Sequence, residues 1–287
     1  MRMEKGGGDL ALFRYSMTGA QLDAIILISK AFSLTPRSGS SPKSMRLAII
    51  RCLSLYLLTS PLHAQTEPSV TTVQTGGVQA VLIKPAKPIG SIILLAGGDG
   101  RIGVEAGGVI TRQGNQLVRT RMAYARKGFA VLVPDRGYEL APLVDLMKGV
   151  KGPVTVVGTS RGTQWAAEGI AAGARPDKLV LTSGFLSEAS TGEPPGRPRP
   201  REEKNAISLL GSRALLPPTL VVHHRQDKCW LTSPAGVAPF IAWSKGKAKV
   251  VWLDGGEEVG NPCEAKGHHG FAGIDQKVVD AVAAFAR

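Results

Sequence analysis

Apolar and polar positions divide the chain from residue 70 onward into a regular series of strand and helix signals. Residues 70–74 and 78–84 are β-rich and separated by Gly76-Gly77, which predicts an antiparallel hairpin. Residues 91–96 (SIILLA) form a continuous apolar run, the pattern of a strand buried on both faces. A helical pattern at 114–127 leads to a second buried strand, 129–133, which Pro134-Asp135 ends. A short helix at 141–148, a strand at 154–157 and an Ala-rich helix at 163–174 follow, then a strand at 179–182. After an interruption come a strand at 219–224, a helix at 234–244, a strand at 249–253 and a closing amphipathic helix at 271–286. Alternation of this kind after an N-terminal hairpin predicts an α/β fold with a mostly parallel central sheet and helices on both faces. The interruption, 184–204, is rich in Gly, Pro, Ser, Arg and Glu and predicts a loop or small cap too polar to join the core.

The first 64 residues read differently. Met45-Arg46 opens a basic region, residues 47–59 are largely apolar, and Pro61-Leu62-His63-Ala64 resembles a cleavage site before Gln65. That layout predicts a secretory signal peptide over 45–64, with 1–44 an over-extended N-terminus and the folded domain at 65–287. Cys52 follows Arg51, not a small residue, which argues against a lipoprotein anchor, and no stretch is long and uncharged enough to predict a transmembrane helix. The expected location is therefore the periplasm or the exterior, without a stable membrane anchor. Export leaves Cys229 and Cys263 as an even pair in an oxidising compartment, which predicts a disulfide between them.

Composition refines this picture only slightly. The 287 residues are 43% hydrophobic, enough for a substantial core, and carry a formal net charge of +13. Eight Lys/Arg against three Asp/Glu fall before residue 65, which leaves 65–287 with a net charge of +8. That excess is dispersed and lacks aromatic interleaving, so it predicts a solvated basic surface, not a nucleic-acid footprint. Nothing in the sequence bears on oligomeric state.

The most informative short stretch is Gly158-Thr159-Ser160-Arg161-Gly162, a G-x-S-x-G between the strand at 154–157 and a helix. This is the pattern of a nucleophile elbow, a turn so sharp that its flanking positions must be small and its serine is thrust out of the sheet. Ligands of an open α/β sheet sit at the carboxyl ends of its strands. Asp227 follows the strand at 219–224 and His268-His269 the strand at 249–253, so serine, acid and histidine occur in that order. A serine hydroxyl needs a base to take its proton, and the histidine needs a carboxylate to fix its tautomer.

Over about residues 70–287 the chain resembles the α/β-hydrolase fold family of serine hydrolases, and its length suits a compact member without a large lid. The resemblance implies Ser160 as nucleophile, Asp227 as acid and His269 as base, with no cofactor and a small-molecule substrate. Asp254, with Glu257 and Glu258 close behind, is the rival acid; the family's usual acid position, after the strand before the last, favours Asp227. His269 is preferred over His268 because family histidines often precede a small residue and the final helix. Oxyanion donors are expected from the backbone N–H of Arg161 and from Gly98 or Asp99 in the glycine-rich loop after the strand at 91–96.

Three other readings remain to be tested. Gly98-Asp99-Gly100-Arg101-Ile102-Gly103 matches G-x-G-x-x-G, with Asp135 ending the next strand, but more glycine-rich loop follows instead of a helix start, and Asp135 lies 32 residues past Gly103. His223, His224, His268, His269, Asp227, Cys229 and Cys263 could supply zinc ligands, yet no C-x-x-C or H-x-x-x-H spacing occurs among them, so no metal is expected. A non-catalytic binding protein on the same fold is the alternative from outside enzymology. Substrate identity, whether ester, thioester or amide, is not encoded in these motifs.

Overall fold

The computed structural model describes residues 67–192, Gly196 and 204–287; the expected signal peptide and most of the arginine-rich stretch of the 184–204 loop lie outside the described residues. Eight strands form one sheet in the order β1-β2-β4-β3-β5-β6-β7-β8. β1 (Ser69–Thr75) and β2 (Val78–Lys84) make the expected hairpin, and β2 also runs antiparallel to β4 (Phe129–Pro134). From β4 through β3 (Gly90–Leu95), β5 (Val154–Thr159), β6 (Lys178–Thr182), β7 (Thr219–His224) and β8 (Ala248–Leu253) every pairing is parallel. All six residues of β3, β4, β5 and β7 are buried, which accounts for their unbroken apolar runs: helices cover both faces, so neither parity of side chains meets water.

The two faces are visible in the core. Ile92 and Leu94 of β3 point into a cluster with Leu117, Tyr124, Val278 and Val282, whereas Ile93 and Leu95 point into another with Leu143, Met147, Ala166 and Ile170. The first face is covered by α1 (Gln116–Arg119), α2 (Arg121–Arg126) and the last helix, α7 (Asp275–Ala286). The second is covered by α3 (Leu140–Lys151), α4 (Gly162–Ala171) and α6 (Val237–Ser244).

Among the departures from expectation, three have a visible local cause. The helix expected at 114–127 is split at Thr120, whose backbone leaves the helical region (φ −96°, ψ 0°) and whose hydroxyl donates to the Gln116 carbonyl at 2.8 Å alongside its own N–H. α7 starts at Asp275, not at 271, because Phe271 is left-handed (φ 55°) and the turn before it is a 3-10 helix, His268–Gly270. A short helix, α5 (Ala206–Leu210), follows the polar loop; Asn205 accepts from the Ser208 N–H and Ser208 returns the bond in a capping box.

Candidate active site

The turn after β5 is as tight as its sequence demands. Ser160 has φ 52°, a left-handed conformation that few non-glycine residues adopt, and sits between β5 and α4. A Cβ at Gly158 would fall on the Gly162 carbonyl, and a Cβ at Gly162 would fall on the Leu95 carbonyl. Both glycines are therefore required by backbone packing. Gly97 is constrained from the other side: a Cβ there would lie 2.9 Å from Ser160 Cβ. The serine is locked by its own N–H, which donates to Thr182 O at 3.0 Å, and by its carbonyl, which accepts from the Thr163 hydroxyl at 2.6 Å.

Asp227 and His269, 42 residues apart in sequence, are brought together. His269 Nδ1 lies 3.1 Å from Asp227 Oδ2, with both side chains almost entirely buried. The other carboxylate oxygen of Asp227 accepts the Cys229 N–H at 2.9 Å. Ser160 and His269 line one cavity of about 1010 Å³, together with Gly97, Gly98, Asn115 and Cys263. The Cys229–Cys263 disulfide is present and joins the loop that carries Asp227 to the loop that carries His269.

The rival residues are engaged elsewhere. Asp254 is exposed and pairs with Arg225 at 3.4 Å, a surface contact of little energetic weight. Glu258 accepts the backbone N–H of His268 at 2.9 Å and lies 2.8 Å from its Nδ1. The His268 ring also stacks on His224, centroids 4.2 Å apart and planes within 8°. His224 in turn accepts the Gln226 N–H at Nδ1, so its Nε2 carries the proton given to Gly255 O at 2.8 Å. His268 is thus held by Glu258 and the His224 ring. The two cysteines that a zinc site would need are bonded to each other.

The glycine-rich loop has a structural owner as well. Asp135, the acid that a dinucleotide reading would assign to a ribose, accepts the N–H groups of Ile102 (3.0 Å), Val104 (3.3 Å) and Arg136 (2.9 Å). Burial raises its pKa, but those backbone donors outweigh burial and hold the carboxyl below the ordinary aspartate value. Within the loop, Gly100 N–H donates to Gly97 O at 3.2 Å and Gly98 is left-handed at φ 67°. The N–H groups of Gly98 and Asp99 have no acceptor among the described residues. Asp99 itself is exposed; its carboxylate accepts the Arg101 N–H and pairs with Arg112, and both depress its pKa.

Several residues that shape the site carry no sequence signal. Arg119 donates to Gly270 O (2.7 Å) and Ala265 O (3.2 Å) and pairs with Asp275 at 2.9 Å, tying the histidine loop to both α1 and α7. His223 is fully buried, and its Nε2 has no partner among the described residues. Burial pushes its pKa down, against the pull of the Asp227 charge, which keeps His223 neutral. Thr232, also fully buried, places its hydroxyl 3.0 Å from His269 Nδ1, so the ring nitrogen has two oxygen partners. Thr232→Val keeps the shape and removes the hydroxyl; kcat/KM should fall about fivefold, the equivalent of one hydrogen bond, and Thr232→Ser should recover most of it. Equal rates for the native and valine proteins would leave the hydroxyl without a role.

The fold is that of the α/β-hydrolases. The structure is similar to that of an esterase/lipase from an uncultured bacterium (16% identity, TM-score 0.52, covering 94% of this chain and 98% of the other). It is also similar to EstE5 in a crystal soaked with ethyl alcohol (15%, TM-score 0.52, 94% and 98%). TT1662 from Thermus thermophilus shares 15% identity at a TM-score of 0.50, covering 77% of this chain and 99% of the other. No protein-family model matches the sequence, and no curated protein matches it.

Proposed function

We propose that the protein is an exported serine hydrolase that cleaves an ester-like bond through Ser160, His269 and Asp227. The observation that carries this reading is the pairing of a left-handed serine at a glycine-bounded turn with a buried Asp–His couple on the same cavity. With Nδ1 of His269 facing Asp227 and Thr232, its Nε2 is the nitrogen left to accept a proton. Ser160 Oγ attacks the substrate carbonyl carbon as its proton passes to Nε2. The carbonyl oxygen becomes an oxyanion, held by the N–H of Arg161 at the start of α4 and by that of Gly98 or Asp99. Collapse breaks the bond to the leaving group, which takes the proton from His269. Water, deprotonated by the same histidine, then attacks the acyl-enzyme and releases the acid and free Ser160.

Export is supported by the disulfide, which persists in oxidising compartments. No helix among the described residues is long and apolar enough to cross a membrane. The direct test is a fluorophosphonate probe, which reacts with an activated serine: the native protein should be labelled, and an inert protein would favour the binding-protein reading. A panel of p-nitrophenyl esters of increasing chain length then separates acyl preferences.

The cystine has its own expected effect. It spans 34 residues of sequence, so its loss should cost about 3–4 kcal/mol of stability by the chain-entropy estimate. Because it ties the acid loop to the histidine loop, Cys229→Ser/Cys263→Ser should also lower kcat more than KM rises. Thiol titration of the unfolded protein cleaved after Ala64 should find no free thiol before reduction and two after; two from the start would refute the bond.

A further inference from the structure

A second cavity, of about 950 Å³, opens from the same glycine-rich loop as the cavity of Ser160. Gly98 lines both, and Arg161, the residue after the serine, lines the second. Its lining includes Trp165, Tyr138, Leu140 and Ala172, along with Arg136 and Glu168. A carbonyl attacked by Ser160, with its oxygen toward the N–H groups of Gly98 and Arg161, would therefore lie beside residues that line both spaces. Each is large enough to receive one arm of a substrate.

The ring walls say what kind of arm. Trp165 lies one turn after Arg161 on α4, so both side chains leave the same face of the helix. Its indole presses on the glycine-rich loop: a Cβ at Gly100 would stand 2.6 Å from the ring, so only glycine leaves room for it. Tyr138 meets the indole at 89° with centroids 6.4 Å apart. Burial pushes the Tyr138 phenol pKa up, so this wall stays uncharged. Arg136 and Arg161 line the cavity together with Asp99, Glu139 and Glu168, so no single sign of charge dominates. Recognition falls to the rings.

We propose that this cavity is the subsite for one arm of the substrate and that it takes an uncharged aromatic group packed against Trp165. The inference rests on the hydrolase reading for the identity of the bond that is cut, but not for the binding of the ring. An aromatic ligand on an aromatic wall gains about 0.5–1.5 kcal/mol beyond what its area provides, a factor of about two to twelve.

The test compares two pairs of esters matched in size: ethyl phenylacetate with ethyl cyclohexylacetate, and benzyl acetate with cyclohexylmethyl acetate. One pair should show a preference in kcat/KM of about three- to tenfold for the aromatic member, and that pair identifies the arm. Trp165→Leu, shown to be folded by circular dichroism, should bring the ratio to about one, and Trp165→Phe should keep most of it. No aromatic preference in either pair, or a preference untouched by Trp165→Leu, overturns the subsite. Binding of phenylacetamide by calorimetry separates the two readings. If the native protein ignores the fluorophosphonate but binds phenylacetamide in a way that Trp165→Leu abolishes, the hydrolase reading fails and the subsite stands.

Discussion

Replacing Ser160, the proposed nucleophile, by alanine should lower kcat on a p-nitrophenyl ester by about 10⁴-fold or more and remove fluorophosphonate labelling. The size of the effect follows from the chemistry. Without Oγ no acyl-enzyme forms, and only substrate binding and oxyanion stabilisation remain to speed attack by water. The variant should fold, because Ser160 holds its place through its backbone N–H and carbonyl. Its φ of 52° offers a second readout. Alanine inherits the left-handed strain, whereas Ser160→Gly relieves it, so the glycine variant should be equally inactive yet about 1 kcal/mol more stable than the alanine variant. More than about a hundredth of native activity in Ser160→Ala would remove this serine from the mechanism. The same substrate assayed with His269→Ala should show a loss of similar order, since nucleophile and base act as a unit.

The second large effect is on folding. Gly162→Ala should destabilise the protein by about 3 kcal/mol or more, because the new methyl would fall on the Leu95 carbonyl and no side-chain rotation can move that backbone atom away. Gly158→Ala meets the Gly162 carbonyl and should behave alike. The control is Gly149→Ala, at an exposed position of helix α3. A Cβ there touches nothing within 4 Å, and alanine is the better helix former, so stability should rise by about 0.5–1 kcal/mol. Urea midpoints of the three variants decide the matter. A Gly162→Ala protein as stable as the control would mean that β5 and α4 are not packed as closely as described.

These two results probe different things that one five-residue pattern encodes. The glycines of Gly158–Gly162 are structural: they let β3, β5 and α4 approach at the turn. The serine has a chemical role in the proposed mechanism, and the backbone geometry forced by the glycines presents it to the cavity. In the loops after two later strands, by contrast, the sequence offers choices. Asp227 against Asp254 and His269 against His268 look nearly alike along the chain. They differ in what surrounds them: Asp254 is solvated beside Arg225, while Asp227 is buried, with the Cys229 N–H and His269 as its partners.

The amino-acid sequence by itself determined the order and type of nearly every strand, the parallel sheet, the sharp turn at Ser160 and the pairing of the two cysteines. These depend on local rules: apolar runs for buried strands, small residues at tight turns, an even cysteine count in an oxidising compartment. Only the tertiary structure decided that Thr232 shares His269 with Asp227, that Arg119 ties the histidine loop to two helices, and that Asp135 serves the glycine-rich loop. It also decided that a second cavity lies beyond Gly98. Those arrangements join groups 31 to 156 residues apart in the chain. A hydrogen bond or a cavity wall depends on separation in space, and short-range propensity carries no record of which distant backbone or side chain will arrive there.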